Sequence, residues 1–195
     1  MTTHVLIAGT FLLVLVGAPS ILAQQAPIAS SVCAVQGAGD RSPLLGRTVT
    51  VTGVVTADFL DTERYGFALQ APGCDADAAT SDGVWVYDPK GVEVPAEVAV
   101  GRCVTVTGEV DEYSGLTEIV LAAGGVEVGE PCAVPEAQVV APPADVDAAF
   151  AYLEARESMW VALPPSVVVA ATNHFAESYV VATTALGPDR PSWRV

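Results

Sequence analysis

Two stretches of strict alternation constrain the fold of this chain most. Residues 48–56 read TVTVTGVVT, and residues 104–110 read VTVTGEV. Alternating valine and threonine is the pattern of a β-strand with one buried and one exposed face. Each stretch also contains a glycine, and Gly53 in the first stretch indicates a bend or bulge where a strand turns the corner of a small barrel. The near-repeat therefore predicts two strands that meet the same barrel geometry.

Three shorter apolar runs complete the predicted sheet. They cover residues 65–70, 84–87 and 116–121, and polar segments separate them. No helical period is visible before residue 144. Five short strands predict an all-β fold, a small five-stranded antiparallel barrel of the OB type, for which a β-sandwich is the alternative.

The first 23 residues differ from the rest of the chain. They carry no acidic or basic side chain, and their apolar run from Val5 to Val16 is too short to span a bilayer. This pattern predicts a secretory signal peptide that is cleaved near Ala23, with a membrane-anchored N-terminus as the alternative. The mature protein is then expected to be secreted and free of the membrane.

The remaining chain divides into four predicted segments. Residues 24–32 are expected to be flexible, residues 33–132 to form the barrel, and residues 133–144 to form a proline-rich linker. Residues 145–195 are predicted to add a helix, capped by Asp145 and running from Val146 to about Ser158, and then further β-strands. The final residues close no element, so this extension is expected to be truncated.

The charge balance limits the partners of the chain. It has 23 acidic and 8 basic residues, for a formal net charge of −15. Such a surface repels phosphate backbones and offers little counterion release on binding nucleic acid. The hydrophobic fraction of 51% argues against disorder.

Four cysteines predict two disulfides, because an even count is typical of an exported protein. Three pairings are possible, of which Cys33–Cys132 with Cys74–Cys103 is favoured, since it closes the two ends of the barrel domain. No pair has CxxC spacing, and the mature chain has a single histidine, which excludes a zinc site of the usual kind.

An acidic loop, CDADAATSDG, precedes the third predicted strand. Asp75, Asp77 and Asp82 offer carboxylate oxygens, which Ca²⁺ prefers, although their spacing is not that of an EF-hand. The primary interpretation is a turn in which these side chains accept hydrogen bonds from local amides. A calcium site is the second interpretation, and Ca²⁺ is the one cofactor the sequence suggests.

Aromatic residues follow this loop. Trp85 and Tyr87 alternate with two valines, so each pair faces one side of the strand. OB barrels bind oligonucleotides on the face of their second and third strands, where bases stack on exposed aromatic rings. If Trp85 and Tyr87 face outward, they form a stacking platform with Tyr65, and Arg64 can contact a phosphate. If they face inward, they belong to the core, where Phe67 is expected.

Several phrases of the sequence carry a family resemblance. The phrases occur in the order VQGAGDRSPLLGRTVTVTGVVTADF, GFALQ, DADAATSDGVWVY, VGRCVTVTGEVDEYSGLTEI and YLEARESMWVALP. With them the chain resembles the N-terminal, OB-fold-like region of bacterial secreted endonucleases. The resemblance implies a partner, because that region precedes a phosphodiesterase domain of the endonuclease/exonuclease/phosphatase class.

The residues needed for phosphodiester hydrolysis are scarce. A metal-dependent phosphodiesterase requires several histidines, asparagines and carboxylates around its metal, whereas the mature chain offers only the neighbours Asn173 and His174. The chain is therefore expected to lack a catalytic site. It is predicted to be an accessory module that binds single-stranded nucleic acid weakly and in a salt-sensitive manner. The alternative is a secreted, disulfide-stabilised β-module with a structural, protein-binding or calcium-binding role.

Overall fold

The computed structural model describes residues 26–89, 94–170, 172 and 178–183. The predicted signal peptide, Lys90, Asn173 and His174 lie outside the described residues. In chain order, the elements are β1 Ile28–Ala29, α1 Val32–Gln36, β2 Thr48–Asp58, β3 Gly66–Gln70, β4 Gly83–Tyr87, β5 Arg102–Tyr113, β6 Leu116–Pro131, β7 Gln138–Val139, α2 Val146–Glu154, β8 Val161–Ala162, β9 Ser166–Val168 and β10 Val180–Ala182.

Strands β2 to β6 close into the predicted barrel. They are hydrogen-bonded in the order β2-β3-β4-β6-β5, and β5 pairs with β2 to complete the ring. All of these pairs are antiparallel except β4–β6. That parallel pair arises because the chain crosses over after β4 to place β5 beside β2, and β6 then returns into the gap. The closed five-stranded order is that of the OB fold, which confirms the predicted fold class.

The two alternating stretches pair directly with each other. Thr50 lies opposite Thr107, and Val51 lies opposite Val106. The valines are buried, while the Thr50 and Thr107 hydroxyls meet on the outer face at 2.9 Å. Matched alternation therefore keeps both strands in one register, since a slip of one residue would turn every valine to solvent.

The glycines of these stretches lie where strands crowd. A β-carbon at Gly53 would come within 2.7 Å of the Gln70 carbonyl oxygen, at the point where β2 leaves β5 for β3. The register of β5 against β6 shifts between Val106 and Gly108. The register of β2 against β3 shifts between Val55 and Ala57, two residues beyond Gly53, so the irregularity of this strand lies close to the predicted position but not at it.

Helix α1 plugs the barrel. Ser31 caps it by accepting a hydrogen bond from the Ala34 amide at 3.1 Å, and Val32 and Val35 are completely buried in the core with Phe67. The described part of residues 24–32, which was predicted without secondary structure, includes β1 and the first residue of α1. Sequence reasoning missed this because the helix has only five residues.

The predicted disulfide pairing is wrong, although two disulfides form. The bonds are Cys33–Cys74 and Cys103–Cys132. Cys33 lies in the plug helix, beside the loop that follows β3. Cys103 and Cys132 lie at the paired ends of β5 and β6, where Arg102 is opposite Pro131. Local neighbours in the barrel therefore pair, rather than residues at its two sequence ends.

The C-terminal extension follows its prediction in outline. The Asp145 carboxylate accepts a hydrogen bond from the Ala148 amide at 2.9 Å and caps α2. The helix ends at Glu154, earlier than predicted, and a turn follows it. Strands β9 and β10 lie in the predicted β-strand extension and pair antiparallel, whereas the predicted linker contains β7, which pairs with β8. No helix among the described residues is both long and apolar enough to cross a bilayer.

The turn after α2 fastens this extension to one end of the barrel. The Thr117 amide donates a hydrogen bond to the Glu157 carboxylate at 2.9 Å, and the Ser81 hydroxyl donates to the Glu157 carbonyl at 2.6 Å. The Trp160 amide donates to the Gln70 side chain at 2.9 Å. Gly83 lies so close to the backbone of Ser158 that a β-carbon would approach it to 2.6 Å.

Candidate ligand-binding groove

A groove of about 740 Å³ runs along the outer face of the barrel. Its walls come from β4, β5, β6 and the β2–β3 loop. The residues that line it are Glu63, Arg64, Tyr65, Trp85, Tyr87, Asp111, Tyr113, Leu116, Glu118 and Val120. All four residues predicted from the sequence to bind nucleic acid are among them.

The alternation of β4 sets which side chains reach the groove. Val84 and Val86 point into the core and are completely buried, so Trp85 and Tyr87 point outward and are half-buried. The outward alternative of the sequence analysis is therefore the observed one. Phe67 is completely buried, as predicted.

Neighbouring residues hold the Trp85 ring in position. Phe59 approaches it with a distance of 5.9 Å between ring centroids and a tilt of 44°. On the adjacent strand, the position of Gly66 leaves space for the indole, since a β-carbon there would lie 2.7 Å from the ring atom Cζ2. Trp85 thus offers a fixed aromatic surface rather than a freely rotating one.

Two loops rim the groove at the positions that flank the binding face of OB barrels. The β2–β3 loop supplies Arg64, which is exposed, and Tyr65, whose φ of 46° turns the chain into β3. The β5–β6 turn, at Ser114 and Gly115, presents Tyr113 with 68% of its surface exposed. Tyr113 was not predicted as a site residue, although the YSG turn was visible in the sequence.

The charge of the groove is mainly negative. Glu63, Asp111 and Glu118 contribute three carboxylates, against the one guanidinium of Arg64. Glu118 is only 6% exposed, and burial together with the nearby Asp111 carboxylate raises its pKa. Glu118 was also missed by sequence reasoning, because a lone glutamate in a strand is ordinarily a solvated residue.

The predicted aspartate loop lies at a different place, beside the C-terminal extension. The Asp75 carboxylate accepts hydrogen bonds from the Asp77 amide at 2.8 Å and from the Thr80 hydroxyl at 3.0 Å. The Asp77 carboxylate accepts one from the Ala79 amide at 2.9 Å. These contacts are the ones that the turn interpretation predicts.

The side chain of Asp82 does not take part in the turn that Asp75 and Asp77 stabilise. One of its oxygens accepts a hydrogen bond from the Gly73 amide at 3.1 Å, and the other lies 3.4 Å from the sulfurs of Cys33 and Cys74. Because these cysteines are joined in a disulfide, they offer no thiolate to a metal. Arg156 shares a cavity of about 250 Å³ with the loop and brings a positive charge to it. Calcium binding here stays a prediction.

Comparisons with known proteins give little beyond this geometry. No protein-family model matches the chain, and no curated protein matches it. Among solved structures, the chain is similar to the hypothetical protein ygiW from E. coli, with 17% sequence identity and a TM-score of 0.37. That alignment covers 54% of this chain and 100% of the ygiW chain.

Proposed function

We propose that this chain is a non-catalytic accessory module, related to the N-terminal region of secreted endonucleases, that binds single-stranded nucleic acid in the aromatic groove. The observation that carries the proposal is the assembly of Tyr65, Trp85, Tyr87 and Tyr113 in one groove on the face where OB barrels bind their ligands. Stacking of a base on an aromatic side chain contributes about 1–3 kcal/mol. Several rings along one groove therefore suit an extended, flat-faced ligand.

The charges predict weak binding. Single-strand binders normally add a positive groove that follows the phosphates, whereas this groove has Arg64 against three carboxylates. Stacking then supplies most of the affinity, and phosphates would have to lie along the Arg64 rim.

Export of the protein is consistent with its two disulfides, because disulfides persist in oxidising compartments.

Fluorescence anisotropy with a labelled single-stranded oligonucleotide tests this function. Binding is measured at low and at moderate salt, with calcium and with a chelator. We expect saturable binding that Trp85→Ala weakens by about tenfold, corresponding to the loss of one stacking contact. Trp160→Ala is the matched control, because Trp160 is 47% exposed and does not line the groove. Absence of binding at low salt in both conditions would overturn the nucleic-acid role.

A protein-binding role is the second candidate, and the surface of α2 favours it. The helix has no buried residue, and Val146, Phe150 and Leu153 expose an apolar stripe at helical spacing, with Phe150 71% exposed. Exposed apolar patches mark interaction surfaces. Sedimentation velocity of the chain mixed with the phosphodiesterase domain of a secreted endonuclease tests this role. Co-sedimentation that Phe150→Ser abolishes would support it.

A further inference from the structure

We infer that the aromatic groove holds an organic cation, an ammonium or guanidinium group, against the carboxylate of Glu118 and the faces of Trp85 and its neighbouring tyrosines. The inference rests on the proposed function only in that both place a ligand in this groove. The group expected at the floor of the groove is here an organic cation rather than a part of a nucleic acid.

The first step concerns the position of Glu118. On β6, Ile119 and Leu121 point into the core, so Glu118 and Val120 lie on the outer face and line the groove. In the sheet, Glu118 is opposite Trp85 on one side and Asp111 on the other. The carboxylate therefore lies at the floor of the groove, between an aromatic residue and a second acid.

The second step concerns what Glu118 lacks. Glu118 is only 6% exposed. Within the described part of the chain, no residue donates a hydrogen bond to its carboxylate. Its carboxylate oxygens are not among the fully buried, unpartnered side-chain atoms of the described residues, so they stay open to the groove. A carboxylate that has lost most of its solvent and has no protein donor gains from a ligand that supplies one. A carboxylate in this condition at the floor of an open groove suits a ligand that donates hydrogen bonds or carries positive charge.

The third step concerns the walls. The faces of aromatic rings carry negative electrostatic potential, and they attract ammonium and guanidinium groups within about 6 Å of the ring centre. Trp85 gives the strongest such attraction, and Tyr65, Tyr87 and Tyr113 line the same groove. Rings and buried carboxylates together form the environment in which proteins recognise organic cations. Phosphate oxygens would instead meet three carboxylates.

A bare metal ion fits this groove less well. Calcium prefers six to eight oxygen ligands, but most of the groove wall consists of aromatic rings and of Leu116 and Val120. An organic cation uses both parts of the site, since its apolar substituents contact the rings while its charge faces the carboxylate of Glu118.

The test uses choline and its uncharged carbon analogue, 3,3-dimethyl-1-butanol. Both are titrated into the ¹⁵N-labelled chain, and binding is followed at the indole N–H signal of Trp85, which Trp85→Phe identifies. We expect choline to shift this signal to saturation and the uncharged analogue to leave it unchanged. Glu118→Gln should weaken choline binding by about tenfold, since it removes a buried charge but keeps the side-chain shape. Glu127→Gln, an exposed position on β6 outside the groove, should leave the affinity unchanged.

A lysine- or arginine-containing tripeptide with blocked ends, titrated in the same way, distinguishes a protein side chain from a free ammonium compound as the source of the cation. Equal effects of choline and its uncharged analogue would overturn the inference, as would equal losses in Glu118→Gln and Glu127→Gln. The oligonucleotide experiment separates the two proposals. Oligonucleotide binding without choline binding overturns only the cation, and choline binding without oligonucleotide binding overturns only the nucleic acid.

Discussion

The indole of Trp85 lies across Gly66 of the neighbouring strand, where a β-carbon would come within 2.7 Å of the ring atom Cζ2. The same β-carbon would collide with the Val86 carbonyl oxygen. Glycine at this position therefore allows β3 to pair closely with β4, and it also allows the indole of Trp85 to lie against β3. The shape of the groove depends on a residue that has no side chain to offer a ligand.

Gly66→Ala is expected to distort the groove and to destabilise the fold. The added methyl group meets backbone on one side and the indole on the other, so the ring must move. We expect a loss of about 1–3 kcal/mol in the free energy of unfolding, the usual cost of overpacking. Urea denaturation measures this loss, and anisotropy with the oligonucleotide measures the accompanying loss of affinity.

Gly39→Ala serves as the matched control for Gly66→Ala. No atom lies within 4 Å of a β-carbon at Gly39, and its φ does not lie in the left-handed region. The substitution should change stability by less than about 0.5 kcal/mol and leave binding unchanged. Equal effects of the two substitutions would show that Gly66 has no special role beneath Trp85.

The attachment of the C-terminal extension is expected to weaken as the pH rises. Burial raises the pKa of Glu157 from 4.5 to about 7, against hydrogen bonds from Thr117 and Gln36 that lower it. Between these two values the folded chain keeps a proton that the unfolded chain has lost. The stabilisation is thus complete below pH 4.5 and is lost as the pH rises to about 7. Because Glu157 is partly exposed, we expect a loss of about 1–2 kcal/mol.

Glu157→Gln tests this pH dependence. Glutamine keeps an oxygen that can accept the hydrogen bond from the Thr117 amide, but it does not titrate. The fall in the free energy of unfolding, measured by urea denaturation at several pH values, should therefore be smaller in this variant. A residual fall is expected, because burial also raises the pKa of Asp88, Glu118 and Glu154. An unchanged pH profile in Glu157→Gln would contradict the role assigned to Glu157.

Local patterns explain how much of the barrel was predictable. Valine–threonine alternation predicts β2 and β5, because it follows the two-residue period of a strand. Gly53 indicates close backbone approach, but the register shift of β2 lies two residues further on, between Val55 and Ala57. The sequence predicts that Trp85 and Tyr87 point to the same side of β4, but it does not determine whether that side is the core or the outer surface. The direction is decided by which face of β4 meets the core, and that is a property of the whole barrel.

Three features could not be read from the sequence, for a shared physical reason. The partner of Cys33 depends on how the short plug helix enters the barrel. The burial of Glu118 depends on its neighbours Trp85 and Asp111 from two other strands. The burial of Glu157 depends on the return of the extension to Thr117. Each feature arises from contacts between residues far apart in the chain, and local periodicity carries no information about such contacts.

Loss of the Cys33–Cys74 disulfide is expected to release the plug helix. The bond spans a sequence separation of 41 residues, and the chain-entropy model gives about 4 kcal/mol for a loop of that size. The double substitution Cys33→Ala with Cys74→Ala should therefore lower the free energy of unfolding by about 2–4 kcal/mol. Hydrogen exchange should show faster exchange of the Val35 and Gly37 amides, which are bonded within the plug helix.

The second disulfide provides the comparison. Cys103–Cys132 joins the paired ends of β5 and β6 over a separation of 29 residues. Its removal should destabilise the barrel by a similar amount, while the exchange of the plug-helix amides changes only with global stability. Selective exposure of Val35 in the Cys103/Cys132 variant, and not in the Cys33/Cys74 variant, would contradict the assigned positions.

The aspartate loop gives the last prediction, which separates its two interpretations. Because the Asp75 carboxylate accepts hydrogen bonds from the Asp77 amide and the Thr80 hydroxyl, Asp75→Ala should cost about 1 kcal/mol of unfolding free energy. Asp75→Asn keeps an accepting oxygen and should retain stability, both with calcium and with a chelator. Thermal unfolding measures all of these conditions. A calcium-induced rise in Tm that Asp75→Asn abolishes would contradict the turn interpretation and identify Asp75 as a calcium ligand.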